Sequence, residues 1–373
     1  MKKLFITFLT YLIASQYTQG QAGTPASPYY NGFNWTLTST SLRDALSSKI
    51  TLTHTNKISY TPGVWEASKI TDLDPEDPTN TNVLLIYGYD NTSICPTSTL
   101  DTHRRRDKNA NGGGNSCQWN REHVYAKSLG TPALIDGGSG ATSDAGEDAH
   151  HIRPADVDWN GNRADEKYTD SSGNSRDITT TTWYPGDEWK GDVARMILYM
   201  YLRYPTQCLP INVGVGTPMT TDSNMIDLFL KWNAEDPVSQ VEDNRNTYHD
   251  SLETYAQGNR NPFIDNPYLA TVIWGGPVAQ NRWPNVFLDQ PEFSLTPIFD
   301  LYPNPTVNDK VILQSNQNID QIEILSIQGQ IIKTIINPPL ENHQFALENL
   351  NKGLFFINVK SKNNTSCKKL IIN

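Results

Sequence analysis

Three short strings bring carboxylate, imidazole and amide side chains close together in this chain of 373 residues. The first is Cys117-Gln118-Trp119-Asn120-Arg121-Glu122-His123-Val124. The second is Asp148-Ala149-His150-His151-Ile152-Arg153-Pro154-Ala155-Asp156, followed by Trp159-Asn160-Gly161-Asn162-Arg163. Carboxylate and amide oxygens suit a hard cation such as Mg²⁺ or Ca²⁺, and an imidazole exchanges a proton near neutral pH. Each fragment also has a plainer reading. A Glu-His dipeptide is commonly a surface pair, His-His is commonly one packed and one exposed ring, and Asn-Gly is first a turn signal. Neither His-Glu-x-x-His nor paired Cys-x-x-Cys occurs, so a zinc protease or structural zinc site has no support. Residue types alone lead to a hydrolase with a metal-compatible acidic and histidine site.

The elements that must position these side chains lie in the middle of the chain. Ser41 is a candidate N-cap for a helix with Leu42, Ala45, Leu46 and Ile50 on one face. Val83–Tyr87 reads as a buried strand. Trp189, Val193, Met196, Ile197, Met200 and Tyr204 recur at helical spacing up to Pro205, and Met225, Leu228, Phe229 and Trp232 mark a second helix. A third is predicted to start at Asp236-Pro237, run through Val238, Val241, Arg245, Tyr248, Leu252 and Tyr255, and stop at Gly258. The fold class expected here is α+β, a helical frame with few strands and long loops between about residues 88 and 180, where long loops usually carry function.

The two ends read differently. Met1-Lys2-Lys3 followed by an almost continuous apolar run from Leu4 to Ala14 describes a secretory signal peptide over residues 1–20. That run falls short of the ~20 apolar residues a membrane span needs, and no later segment is long and apolar enough, so no membrane span is expected. Residues 21–40 are read as a linker. All nine Trp lie between Trp35 and Trp283, and all Arg between Arg43 and Arg282. From about Phe293 β-branched residues take over, with strands expected at Lys310–Ser315, Gln321–Ile327, Gln330–Ile336 and Leu354–Lys360, and a hairpin around Gln328-Gly329. Residues 293–373 therefore form a small all-β, immunoglobulin-like sandwich.

Net charge is −10. The opening holds two Lys, and the part from Phe293 holds seven Lys, three Asp and three Glu. Removing these from 30 basic and 40 acidic residues leaves 21 against 34 for the middle. Whatever this part binds, it does not bind through a uniformly basic surface. Cys95 and Cys117 flank the Arg104-Arg105-Arg106 run. In an exported protein a disulfide there would close about 22 residues and contribute roughly 3 kcal/mol, and Cys208 would be left unpaired once the C-terminal part carrying Cys367 is removed.

The strings Asn120-Arg121-Glu122-His123-Val124, Asp148-x-His150-His151-Ile152-Arg153-Pro154-Ala155-Asp156 and Asn160-Gly161-Asn162-Arg163 resemble the endonuclease I family of secreted and periplasmic nucleases. The likeness continues in Trp189–Arg195, Leu230-Lys231-Trp232, Glu235–Val238 and Gln257–Asp265, giving a nuclease domain over residues 41–285. The tail, with Leu301-Tyr302-Pro303-Asn304-Pro305, Leu350-Asn351-Lys352-Gly353 and the terminal Lys368–Asn373, resembles the C-terminal sorting domain of type IX secretion. That likeness implies an export address read by the type IX secretion machinery.

The nuclease resemblance implies a ββα-metal active site hydrolysing DNA, RNA or both with little sequence preference. His123 would be the general base that activates water. Glu122 and Asn160 would hold one divalent metal, Mg²⁺ before Mn²⁺ or Ca²⁺, to stabilise the leaving group. The family also uses an arginine on the cleaved phosphate, and Arg153 is the candidate, with Arg163 and Arg260 as rivals. His150 and His151 would orient the site through hydrogen bonds. Arg104 and Arg105 are candidate phosphate contacts, equally readable as a solvated loop. Neighbouring side chains on a flat strand point to opposite faces, so Glu122 and His123 converge only at a bend or strand end. The competing readings are a catalytically inactive secreted nucleic-acid-binding or adhesion protein and a metal-dependent phosphoesterase acting on small substrates.

Overall fold

The apolar stripes of the middle fold as helices around one that is buried on every side. In a computed structural model, which describes residues 23–88, 104–114, 117–137, 145–287, 292–293, 299–307, 310–327, 330–361 and 364–373, helix α4 (Lys190–Arg203) buries all but its two end residues. A helix apolar all round belongs at the centre of a core. Against it pack α1 (Ser39–Thr53), through Leu42, Leu46 and Ile50, and α6 (Asp227–Glu235), through Leu228, Phe229 and Trp232. Shorter helices complete the frame: α2 (Trp65–Thr71), α3 (Val157–Arg163), α5 (Pro210–Val213), α7 (Gln240–His249), α8 (Pro262–Asp265) and α9 (Tyr268–Trp274). No helix among the described residues is long and apolar enough to cross a membrane. The expected signal peptide, Cys95 and the turn residues Gln328 and Gly329 lie outside the described residues.

The first helix is preceded by Thr38 at its N-cap position, so Ser41 lies inside it, and the strand expected at Val83–Tyr87 is Asn82–Leu84. Two further expectations need correction. Helix α7 does not start at Asp236-Pro237, because the Asp236 carboxylate accepts the Gly191 N–H (2.8 Å) instead of capping its own chain. The cap is Ser239, whose hydroxyl takes the Glu242 N–H while the Glu242 carboxylate takes the Ser239 N–H. The helix also ends early, at His249, and Leu252 is exposed. Gly258 still closes it at a distance, its N–H donating to the His249 carbonyl at 2.7 Å. The second correction concerns residues 21–40, of which the described part is not a loose linker. Tyr29 and Tyr30 are buried, Tyr30 donates to Asp265 Oδ2 at 2.7 Å, and its ring meets Trp35 and Trp283 edge-on.

Strands are few in this part. β1 (Asn82–Leu84) pairs antiparallel with β2 (Arg105–Asp107), and β3 (Trp119–His123) with β4 (Ile152–Asp156). β5 (Lys167–Tyr168), β7 (Thr182–Tyr184) and β6 (Arg176–Thr179) form a third small sheet. β4 runs directly into α3, so β3, β4 and α3 make a ββα unit. Asp156 caps α3 by accepting the Asp158 and Trp159 N–H groups (3.0 and 3.1 Å), and Arg106 neutralises it at 2.7 Å. Asn160-Gly161, a turn signal in the sequence, sits inside this helix.

The chain divides into two units, Met1–Val286 and Phe287–Asn373. The second is all β. One sheet holds β13 (Gln344–Leu347), β10 (Val311–Gln314) and β9 (Asp300–Tyr302). The other holds β12 (Ile331–Ile336), β11 (Gln321–Ser326), β14 (Gly353–Ser361), β15 (Asn364–Ile372) and β8 (Glu292–Phe293). Leu301, Val311, Leu313 and Leu347 from the first sheet share one core with Ile322, Ile324, Ile357 and Leu370 from the second. That is the period-2 burial of a sandwich.

Candidate active site

Strand β3 is pinned by Trp119, which is fully buried and donates its indole N–H to the Asp107 carbonyl (3.2 Å). Alternation along the strand then puts Arg121 and His123 on one face and Glu122 on the other. His123 is the last residue of β3, and there the chain turns, so Glu122 and His123 line the same cleft. Its volume is about 280 Å³, and Arg121, Lys127, Asn160, Arg163 and Asp165 complete the polar wall.

The His123 ring has a fixed tautomer. Nε2 lies 2.9 Å from the Gly146 carbonyl oxygen, which can only accept, so the neutral ring carries its proton on Nε2. Nδ1 keeps its lone pair and has no protein partner among the described residues. Burial pushes the ring's pKa well below the ordinary imidazole value, and His151, Lys127 and Arg121 add to the shift. The ring stacks on Tyr60 at 5.3 Å between centroids.

Glu122 is held from one side only. Its Oε1 accepts from the Tyr87 hydroxyl and from Arg163 Nη1, both at 2.9 Å, while Oε2 has no protein partner among the described residues. Burial raises the Glu122 pKa, and Arg163 and Tyr87 oppose that. Asn160 on α3 gives its amide Nδ2 to Asn120 Oδ1 at 2.7 Å, which leaves its own Oδ1 without a protein partner among the described residues. One carboxylate oxygen and one amide oxygen are thus unengaged at the same cleft, a donor chemistry that fits a hard divalent cation. No group of three or more His, Cys, Asp or Glu able to hold a metal occurs among the described residues, so protein donors beyond this pair would be few.

Arg163 is a bracket. It is buried, with Nη1 also 3.1 Å from the His123 carbonyl and Nη2 3.3 Å from that of Val124, and its guanidinium lies over the Tyr168 ring. Arg153 does not line the cleft at all. It is fully buried, with Nε 2.6 Å from Asp72 Oδ1 and Nη1 2.8 Å from Asp192 Oδ2. The phosphate contact expected of it gives way to a structural pairing, extended by Arg245 on Asp72 and by Arg195 on Glu242 (2.5 Å). Arg260 is likewise elsewhere, forked onto Asp265 and paired with Asp250 (3.1 Å). Arg104 pairs with Glu188 (2.6 Å) and Arg105 with Asp74 (2.6 Å), both away from the cleft. Carboxylates pair all of these guanidinium groups, those of Arg153, Arg105 and Arg260 within the fold and that of Arg104 at its surface.

His150 and His151 are buried and hydrogen-bonded to protein. His151 Nε2 donates to the Ala145 carbonyl (2.8 Å) and its ring lies 5.5 Å from that of His123, while His150 Nε2 faces Asn259 Oδ1 at 3.1 Å. Burial, partly opposed by Asp148, lowers both pKa values to about 4. Several contributors carried no assigned role in the sequence. Tyr87 ends the apolar run that begins at Val83, Gly146 acts only through its backbone, and Arg121 lies inside the Asn-Arg-Glu-His string itself.

Neither Cys208, which is buried, nor Cys367, which is exposed, is bridged to another cysteine among the described residues. The bridge expected between Cys95 and Cys117 involves a residue outside the described ones.

Comparison with known proteins adds the wider context. Residues 38–268 match the family model described as Endonuclease I, and residues 300–373 match that of the Secretion system C-terminal sorting domain. An extracellular ribonuclease of Bacillus amyloliquefaciens is 39% identical over 246 residues, 63% of this chain and 74% of that protein. An extracellular ribonuclease of Bacillus subtilis (strain 168) is 38% identical over 266 residues, 67% of this chain and 81% of that protein.

Proposed function

The chain belongs to the endonuclease I family and is a secreted nuclease; from that premise we propose that it is a divalent-metal-dependent endonuclease cutting RNA, DNA or both with little base preference. The observation that carries this reading is the meeting, at one cleft, of an unprotonated imidazole nitrogen and two unengaged oxygens. His123 Nδ1 accepts the proton of the attacking water, and the Nε2–H bond to Gly146 keeps that nitrogen unprotonated and aimed. Glu122 Oε2 and Asn160 Oδ1 hold the cation, with Mg²⁺ the best match and Mn²⁺ or Ca²⁺ alternatives. When bound, such an ion supplies charge compensation for the non-bridging and leaving oxygens. Arg163 and Tyr87 fix Glu122 from behind, and Asn120 fixes the amide plane of Asn160. Phosphate contacts position a strand without reading bases, and no base-reading helix module occurs in the sequence, which supports weak specificity. The names of the two relatives support RNA as a substrate.

The same reading takes residues 1–20 as a signal peptide and the unit from Phe287 as an export address for the type IX machinery. It also takes Cys95–Cys117 as a disulfide.

The test uses the secreted chain with RNA, plasmid and a small phosphodiester, with and without EDTA, beside His123→Ala. Loss of polynucleotide cleavage under chelation and in the variant is expected. Cleavage that survives both overturns the mechanism. Preference for the small diester would favour a phosphoesterase, and an inert wild-type chain that binds RNA would favour a binding protein.

A further inference from the structure

Ten of the thirteen arginines have a carboxylate oxygen within 4.0 Å among the described residues. Arg121, Arg176 and Arg203 do not, and of these only Arg121 lines the cleft with Glu122, His123 and Asn160. Its guanidinium lies 3.4 Å from the Tyr60 ring centroid and 4.1 Å from that of Trp65. Nη1 donates to the Tyr60 carbonyl and to Thr61 Oγ1 (3.1 Å), and Nε is shielded from solvent. Nη2 alone keeps an open edge, with no protein partner among the described residues. The two other cationic groups at the cleft are committed: Arg163 to Glu122 and main-chain carbonyls, Lys127 to Asp136.

We propose that Arg121 holds a non-bridging oxygen of the phosphodiester being cut, using Nη2, with Tyr60 and Trp65 as the platform that fixes its plane. This rests on the reading of the cleft as the nuclease site. Residues 121 and 123 lie two apart on β3 and so on one face, and both touch Tyr60. A phosphate oxygen on Nη2 therefore sits on the same side of the strand as the base. Tertiary structure leaves this one cleft guanidinium its full charge in an acidic protein, whereas Arg153 is consumed by Asp72 and Asp192. A planar cation wedged on two rings cannot swing off the substrate as an ammonium would.

The experiment compares wild type with Arg121→Lys, Arg121→Met and, as a control outside the cleft, Arg176→Met, on RNA and plasmid with Mg²⁺ supplied. Arg121→Met is expected to lower kcat/KM about 100-fold, the scale of losing one preorganised donor to a developing oxyanion. Arg121→Lys is expected to lower it about 10-fold, since charge remains and alignment is lost. Binding of a fluorescent single-stranded oligonucleotide is then followed against salt in the His123→Ala background. Adding Arg121→Met should reduce the log–log slope by about 0.7, one phosphate's worth for a single strand, while Arg121→Lys and Arg176→Met leave it unchanged. Urea midpoints report whether each variant is folded. If Arg121→Met does not fold, Arg121→Lys decides: kcat/KM within about 2-fold of wild type overturns the assignment. An unchanged slope in a folded Arg121→Met variant overturns it too. Should His123→Ala itself cleave like wild type, the reading of the cleft fails. Should His123→Ala be inert while Arg121→Met is fully active, only the role of Arg121 fails.

Discussion

Lowering the pH from 7 to 5 should strip the first unit of a large share of its stability, and His150 and His151 set the scale. Both are buried, and burial brings each from the ordinary imidazole value of 6.5 to about 4. A histidine whose folded pKa is depressed binds fewer protons folded than unfolded, so stability rises with pH across that gap. The stabilisation is complete above about pH 6.5 and is lost as pH falls through the window from 6.5 to 4. Linkage at pH 5 gives a loss of about 2 kcal/mol for each ring relative to pH 7, about 4 kcal/mol together, against domain stabilities of about 5–15 kcal/mol. His54, His123 and His249 are depressed as well, by burial first, and act in the same direction. Asp236, pushed up to about 6 by burial, and the buried Asp192 and Glu122 carboxyls, also raised, partly oppose them. Urea unfolding at half-unit steps from pH 7.5 to 5 measures this directly. Every Trp lies between Trp35 and Trp283, so indole fluorescence reports only this unit. In His151→Gln the amide nitrogen replaces the donor to the Ala145 carbonyl but takes up no proton. The pH slope of stability should therefore fall by about 1 kcal/mol per pH unit averaged between pH 7 and 5, approaching the one-proton limit of about 1.4 only near pH 5. A wild-type stability that changes by less than about 1 kcal/mol between pH 7 and 5, or a slope identical in His151→Gln, refutes the reasoning.

Other outcomes follow from the partners of single side chains. Arg153→Leu should cost about 3–5 kcal/mol, because it leaves Asp72 and Asp192 short of a buried counter-ion; a variant with a wild-type urea midpoint and no activity would return Arg153 to the chemistry. Tyr87→Phe removes one of two donors to Glu122 Oε1 and should raise the Mg²⁺ concentration for half-maximal cleavage about 10-fold or more; an unchanged Mg²⁺ titration would exclude a role for that hydroxyl. Tyr30→Ala should lower stability by about 3–5 kcal/mol, the cost of emptying a large buried aromatic site; an unaltered urea midpoint would restore residues 21–40 to a simple linker.

The helical frame was readable because its stripes are long and strongly apolar. Leu42, Leu46 and Ile50 mark the buried face of α1, although its N-cap is Thr38 and not Ser41, and Trp189 to Tyr204 bracket α4 to within a residue. The β unit was readable because strands such as Gln321–Ser326 alternate cleanly between core and solvent. Capping at α7 was misread because Asp236 looks like an N-cap locally, and only the fold brings the Gly191 N–H to it. The packing of Tyr29 and Tyr30 was invisible for the same reason, since their partners Thr53, Asp265 and Trp283 are distant in sequence. At the site, Glu122, His123 and Asn160 were found through exact strings, and the structure brings them to one cleft. The arginines were not separable, since type and spacing say nothing of which carboxylate lies opposite each one.

That inseparability has a physical consequence for how such an acidic protein meets a polyanion. The middle of the chain carries 34 acidic against 21 basic residues, and most of its guanidinium charge is cancelled within the fold. Arg153, Arg195 and Arg245 neutralise Asp72, Asp192 and Glu242 deep between α2, β4, α4 and α7, where they hold the frame behind the ββα unit. Arg163 compensates Glu122, and Arg106 compensates the cap of α3, so two more cations keep the site's own anions in place. On the proposed reading, what meets the phosphate being cut is local: the open edge of Arg121 and the cation proposed for Glu122 and Asn160. A broad basic surface would retain cut strands as firmly as uncut ones, because counterion release is indifferent to whether the backbone is continuous. On the proposed reading, uncompensated charge at the cleft concentrates attraction on the phosphate that His123 would face, and stabilisation spent there acts on the transition state more than on uniform binding.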